Sequence, residues 1–185
     1  RTVSDELYSL AREPSLTVMT YKGYEINGNT FYTTAQDQKS TNQNSRVRFD
    51  AATKRGKDTY YGYIVDIWEL DYGHDIKVPL FKCKWVNLSG GGVHVDPQYG
   101  MTTVDLNNPG YTDEPFVLAN DVAQVFYVKD MSTKPRKRKD KEAKASHDEP
   151  KRHIVLSGKR NIVEWMTRQT CQKIRKSLMK LLHSQ

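Results

Sequence analysis

The stretch YYGYIVDIWELDYGHDIKVPLFKCKWVN, residues 60–87, decides the fold class. It contains two long apolar runs joined by turn residues at 71–75, which predicts two antiparallel strands and a tight connection. The first run is apolar at odd and even positions alike, a pattern typical of a central strand covered on both sides. In the second run the apolar phase changes near Pro79, which predicts a β-bulge where no ladder donor is needed.

Strand patterns also flank this stretch. In YEINGNTFYT, residues 24–33, Asn27 and Gly28 separate two apolar runs, and this pair favours the positive φ of a hairpin turn. EPFVLANDVAQVFYVKD, residues 114–130, predicts two more short strands. Several short strands without a long helix predict a mainly β fold: a small antiparallel barrel or strongly curved sheet, SH3-like, with a disordered or helical C-terminal extension.

Length and composition indicate one globular domain with polar appendages. The 185 residues are 37% hydrophobic and 28% charged, and no apolar run approaches the roughly 20 residues of a membrane span. The chain begins with Arg1, so we expect a fragment. The expected organisation is an N-terminal flank at 1–15, a β domain at 16–131, a basic linker at 132–151, a C-terminal motif at 152–163 and a tail at 164–185.

The positive charge of the chain lies behind the predicted β domain. The whole chain carries +7, but residues 1–133 hold 13 Lys and Arg against 17 Asp and Glu. Residues 134–144 hold 7 against 2. We therefore expect no continuous phosphate-binding face on the β domain, and weak, non-specific nucleic-acid binding through the linker.

The linker is also a candidate nuclear import signal. Pro135 and the clustered charge argue against packing, and the run is rich in Lys and Arg, so we expect a nuclear protein. An ordinary solvated linker explains the same residues. The candidate residues for import or phosphate contact are Lys134, Arg136, Lys137, Arg138, Lys139 and Lys141.

No catalytic, cofactor or metal site is predicted. Asp66 and Glu69 would face opposite sides of a strand, so solvated surface carboxylates are the favoured interpretation. The sequence has two cysteines, which are far apart, and Cys83 has the apolar neighbours of a core residue. His74 is expected at a polar hairpin tip, and His94 with Asp96 lacks a third metal ligand.

Aromatic residues of the deciding stretch suggest a sharper alternative, a cage that holds a methylated lysine by cation–π attraction. Core packing explains the same residues more simply. The candidate cage residues are Tyr60, Tyr61, Tyr63, Trp68 and Trp85.

Several motifs together carry a resemblance. They are YKGYEINGNTFYT, NQNSRVRFD, YYGYIVDIWELDYG, VPLFKCKW, EPFVLANDVAQVFYVKD and RHIVLSGKRNIV. In this order they resemble the uncharacterised β domain near the C-terminal end of plant CACTA-type (En/Spm-like) transposase proteins, over residues 21–163. The resemblance implies an accessory domain without established activity, because cleavage chemistry in such proteins is thought to belong to a separate upstream region.

The resemblance also bears on residues 164–185, whose apolar residues recur at helical spacing beside Lys and Arg. Related grass sequences continue with an acidic stretch at this point. Codons for Glu164 to Thr167, read two bases later, give Met or Val followed by two Asp. We therefore expect a frameshift or mis-splicing product, with a genuine partner-binding helix as the alternative.

Taken together, the sequence predicts a non-catalytic accessory binding or assembly module of a transposon-encoded protein, with protein partners and no membrane contact. A nucleic-acid or chromatin-binding barrel is the alternative, and a composite basic patch in the folded domain would favour it. An unrecognised enzyme is the third class. Ile67, Phe81, Trp85 and Phe126 are expected in the core.

Overall fold

A computed structural model describes residues 10–11, 13–39, 41, 43–54, 56–73, 76–130 and 152–157. The chain divides into two compact units, residues 1–155 and 156–185, and the second contributes only two described residues. The basic linker, the C-terminal tail and His74 lie outside the described residues.

The described residues form twelve strands, one short helix and one 3-10 turn, so the fold is mainly β as predicted. The strands are β1 (Met19–Tyr21), β2 (Gly23–Ile26), β3 (Asn29–Tyr32), β4 (Arg46–Thr53), β5 (Gly56–Asp71), β6 (Lys77–Val86), β7 (Val93–Val95), β8 (Thr102–Asp105), β9 (Pro109–Gly110), β10 (Phe116–Leu118), β11 (Val122–Lys129) and β12 (Arg152–Ser157). Helix α1 is Thr34–Asp37, and the 3-10 turn is Ala119–Asp121.

Ten strands belong to one sheet, and β2 and β3 form a separate hairpin. The sheet order is β10-β6-β5-β4-β11-β12-β8-β7, with β1 beside β5 and β9 beside β6. Every pairing with a described register is antiparallel. This order has two ends, so within the described residues no closed barrel is seen and the predicted barrel is not confirmed.

The β2–β3 hairpin confirms the prediction made from Asn27 and Gly28. Both turn residues have positive φ, 51° and 70°, which suits the right-handed twist of the two strands. Gly23 pairs with Tyr32 at the open end of the hairpin.

The two long strands of the deciding stretch are β5 and β6, and they pair along most of their length. The predicted bulge at Pro79 is wrong, because Pro79 pairs in register with Glu69. The register instead shifts between Ile64 and Asp66 on β5, which leaves Val65 as the extra residue. Ile64 and Ile67 therefore face the same side of the sheet despite their odd spacing.

Two buried clusters lie on the sheet. The inner cluster comprises Phe31, Val47, Ile64, Ile67, Phe81, Cys83, Trp85, Val117 and Ala119. The second cluster comprises Tyr61, Val86, Val104, Val125 and Tyr127. Ile67, Phe81 and Trp85 are buried as expected, whereas Phe126 is only half-buried because Val125 and Tyr127 take the inward positions of β11.

Candidate ligand-binding face

One surface of the sheet, here named the outer face, lies opposite the inner cluster. It is formed by the side chains that alternate with buried residues on β5, β6 and β10. The outer face comprises Tyr63, Asp66, Trp68 and Leu70 of β5, Val78, Leu80, Lys82 and Lys84 of β6, Phe116 and Leu118 of β10, and Arg46 of β4. All of these residues are half-buried or exposed.

One end of the outer face is apolar. Trp68 is the cross-strand partner of Leu80, and Leu80 is also the partner of Leu118. These three large side chains therefore form a row across β5, β6 and β10. The rings of Trp68 and Phe116 lie 4.8 Å apart between centroids. Phe116 is 41% exposed and Leu118 is 45% exposed. A solvent-facing sheet surface is normally polar, and contiguous apolar residues there indicate a contact surface.

The other end of the outer face is basic. Tyr63 is the cross-strand partner of Arg46 on one side and of Lys84 on the other. The Arg46 guanidinium lies 5.1 Å from the centre of the Tyr63 ring and 5.8 Å from the centre of the Tyr127 ring, so this end of the outer face borders the second cluster. Lys82 pairs with Asp66, and its Nζ lies 5.7 Å from the centre of the Trp68 ring. Three cations and one carboxylate therefore share this surface.

The structure separates the five candidate cage residues. Tyr60 and Trp85 lie together, with ring centroids 6.5 Å apart, and Phe49 packs beside both. Tyr61 belongs to the second cluster.

Tyr63 and Trp68 lie on the outer face instead. The ring that joins Tyr60 from outside the predicted set is Tyr111, at 5.1 Å. Of the five predicted cage residues, Tyr60 and Trp85 therefore lie together, and Phe49 and Tyr111 pack beside Tyr60.

Glu69 differs from the solvated carboxylate that the sequence predicted. Its side chain is 7% exposed and accepts hydrogen bonds from the hydroxyls of Tyr21 at 3.1 Å and Tyr24 at 3.0 Å. Lys77 Nζ lies 3.4 Å from one of its oxygens. Tyr21 is on β1 and Tyr24 is on β2, so these two hydrogen bonds connect both strands to β5. We interpret this group as structural, because both carboxylate oxygens have partners.

The Glu69 group predicts a loss of stability at alkaline pH. The hydrogen bond to Glu69 raises the pKa of Tyr21 above its ordinary 10.0, and burial raises the pKa of Tyr24. The same carboxylate raises the pKa of Lys77 above 10.5. Since the folded state holds these protons more tightly than the unfolded state, we expect stability to fall as pH rises above about 10.

The measurement is thermal unfolding of the full chain from neutral pH to about pH 11. Glu69→Gln should make the midpoint less dependent on pH in this range, because the charge that raises the Tyr21 and Lys77 pKa values is gone. Tyr99→Phe, at an exposed residue, is the control and should leave the dependence unchanged. An unchanged alkaline dependence in Glu69→Gln would show that other groups cause it.

Cys83 is a core residue, as predicted, and burial raises the pKa of its thiol, which keeps it protonated. His94 is exposed, and the Asp96 carboxylate accepts the backbone N–H of Gln98 and Tyr99. The described residues contain no group of three or more His, Cys, Asp or Glu placed to hold a metal ion. Within the same residues, no helix has the length and apolarity to cross a membrane.

Sequence reasoning missed the outer face because it took β5 to be covered on both sides. That interpretation is wrong for the half of β5 that follows the bulge, where Trp68 and Leu70 remain partly exposed. A usable signal lay in β6, where Lys82 and Lys84 alternate with the buried Phe81, Cys83 and Trp85. Charged residues at every second position mark the solvent side of a strand.

A comparison with known protein families gives a match to part of the chain. Residues 68–140 match the model of the family described as Domain of unknown function (DUF4216). No curated protein and no solved structure matches the chain. The matched region begins at Trp68 and includes the Lys82, Lys84 and Phe116 positions of the outer face. This part of the chain is therefore similar to an uncharacterised domain of unknown function.

Proposed function

We propose that the chain is a non-catalytic accessory binding or assembly module of a plant DNA-transposon-encoded protein that acts in the nucleus. The ordered motifs that resemble the transposase-associated β domain support the transposon context, and the family match supports an uncharacterised domain. The finer fold expectation, SH3-like curvature or a barrel, belongs to the same proposal. Protein partners in a transposase assembly and weak nucleic-acid binding through the basic linker also belong to it.

The observation that carries the proposal is the outer face. Strands β5, β6 and β10 present Trp68, Leu80, Phe116 and Leu118 to one side without a covering layer among the described residues. A monomeric domain gains nothing in stability from apolar side chains that stay in water, whereas a binding domain uses them as anchors.

A second copy of the chain is a poor occupant of this face. In a twofold dimer the same surface meets itself, so two surfaces of net positive charge would face each other. A ligand with negative charge complements such a surface better.

We expect changes on the outer face to remove bound ligands without unfolding the domain. The test compares the full chain, a Phe116→Ser/Leu118→Ser variant and a Val95→Ser/Tyr99→Ser variant. Each protein is immobilised on a support and incubated with plant nuclear extract, and the retained molecules are compared. Both variants replace exposed apolar side chains, so their thermal midpoints should stay close to that of the parent. Only the outer-face variant should lose molecules that the parent retains. Equal retention by both variants would contradict the proposal.

A further inference from the structure

We propose that the outer face binds single-stranded nucleic acid. A base would stack on the ring pair of Trp68 and Phe116, and phosphates would pair with Lys82 and Lys84 beside it. This inference rests on the proposed binding function and names the class of its ligand.

Each part of the face that offers a ring also offers a cation. Tyr63 has Arg46 and Lys84 as cross-strand partners, and Lys82 lies 5.7 Å from the Trp68 ring. Lys82 and Lys84 are two residues apart on β6, or about 7 Å along the strand. At this separation each ammonium can pair with a different phosphate of one strand. This pairing of stacking surface with positive charge is typical of single-strand binding proteins.

The rings of Trp68 and Phe116 are available to a base. Phe116 is 41% exposed and Trp68 is half-buried. The Tyr63 ring, by contrast, has the Arg46 guanidinium 5.1 Å from its centre. The Lys82 ammonium lies near the roughly 6 Å limit of cation–π attraction, so a base can displace it at small cost. Because every base has a stacking face, such a surface binds with little sequence preference.

The position of the rings favours a single strand over a duplex. The bases of a duplex are stacked on one another and cannot lie on protein rings. A two-stranded ribbon can enter a major groove about 12 Å wide, but β5 and β6 cannot do so. They have β4 on one side and β10 on the other, which makes this part of the sheet at least four strands across.

Charge and residue type favour nucleic acid over a protein ligand. The outer face has a net charge of +2, from Arg46, Lys82 and Lys84 less Asp66. Residues 1–133, which contain it, have 13 basic against 17 acidic residues. Lysine is depleted in protein–protein interfaces, yet two lysines stand beside the rings of this face. A composite basic patch of this kind is the feature that the sequence could not show.

The binding test uses fluorescence anisotropy with labelled oligothymidylate and a labelled duplex at several salt concentrations. The protein is the full chain in which all seven Lys and Arg of residues 134–144 are changed to Gln, so that linker binding does not hide the face. We expect this chain to bind oligothymidylate more tightly than the duplex. Equal binding of the two, with the same dependence on the outer face, would overturn the single-strand assignment.

Two variants of that chain separate stacking from charge. Trp68→Ala/Phe116→Ala should weaken oligothymidylate binding by about 5- to 150-fold, the range expected when the stacking of one base is lost. Lys82→Gln/Lys84→Gln should lower the slope of log affinity against log salt by about 1.4, at about 0.7 per phosphate contact with a single strand. A thermal scan of each variant confirms that it is folded.

Matched controls use exposed residues elsewhere. Lys39→Gln/Lys54→Gln removes two exposed lysines, and Tyr99→Ala removes a ring that is 63% exposed. These variants should bind as their parent does. If they lose as much affinity or slope as the outer-face variants, the proposal is overturned.

The same variants distinguish failure of this inference from failure of the proposed function. Suppose the outer-face variants lose a protein from nuclear extract but bind oligothymidylate like their parent. The ligand would then be a protein, and the binding function would stand. If neither kind of binding changes, both the ligand class and the proposed function are wrong.

Discussion

Phe81→Ala is expected to lower the free energy of unfolding by about 3 to 5 kcal/mol. The ring is 0% exposed, lies 5.1 Å from the Phe31 ring and belongs to the inner cluster under the centre of the sheet. Its removal leaves a cavity between β3 and β6 that rigid strands cannot close. For a chain of this length the thermal midpoint should fall by roughly 6 to 20 °C, measured by calorimetry or circular dichroism.

Phe126→Ala is the matched comparison for Phe81→Ala. Both changes remove the same atoms, but Phe126 is half-buried on β11, so its loss should cost clearly less. Equal costs at the two positions would place Phe126 in the core, as the sequence suggested, and would contradict the burial described for β11.

Gly62→Ala is expected to destabilise the domain by about 1 to 3 kcal/mol or more, because no space is left for a methyl group. A Cβ at this position would collide with the backbone oxygen of Lys84 and lie 2.8 Å from Cε3 of Trp85. The carbonyl oxygen of Gly62 also accepts a hydrogen bond from the Tyr127 hydroxyl at 3.2 Å. Urea titration of the full chain measures the change.

Two further variants separate the causes at Gly62. In the Gly62→Ala/Trp85→Leu double variant the backbone collision remains, so the smaller side chain should not restore stability. Gly73→Ala tests backbone strain alone, since Gly73 has a φ of 74° and open space around it. Its expected cost is about 1 kcal/mol. A neutral effect of Gly62→Ala would show that β5 and β6 are less closely apposed than described.

Local sequence patterns predicted those parts of the fold that depend on local chemistry. The Asn27-Gly28 turn requires positive φ, which few other residue pairs tolerate, and the hairpin forms there. The turn at 71–75 divides a long apolar stretch, and β5 and β6 end and begin around it.

The bulge could not be placed from the sequence. Residues 60–70 are apolar on both strand faces, so a one-residue shift at Val65 leaves no visible break in the pattern. Because of Pro79, the bulge was predicted on β6, whereas it lies on β5. Pro79 lies just beyond the part of β6 that pairs with β10, a position where a proline is tolerated.

The outer face could not be found from the sequence because it depends on strand order. Arg46, Tyr63, Lys84 and Phe116 come from four strands and meet only after β10 has returned to β6 and β4 has paired with β5. Counting charge over residues 1–133 gave an acidic domain, since the count averages over all its surfaces. Net charge of a segment therefore does not describe one face of the fold.

Site-specific photo-crosslinking in plant nuclei shows whether the outer face is the surface that binds the ligand. A photoreactive phenylalanine analogue replaces either Phe116, on the outer face, or Tyr99, which is 63% exposed outside it. We expect the full chain to be crosslinked to a discrete ligand from position 116 and not from position 99. Crosslinking from position 99 alone, or to the same extent from both positions, would contradict this expectation.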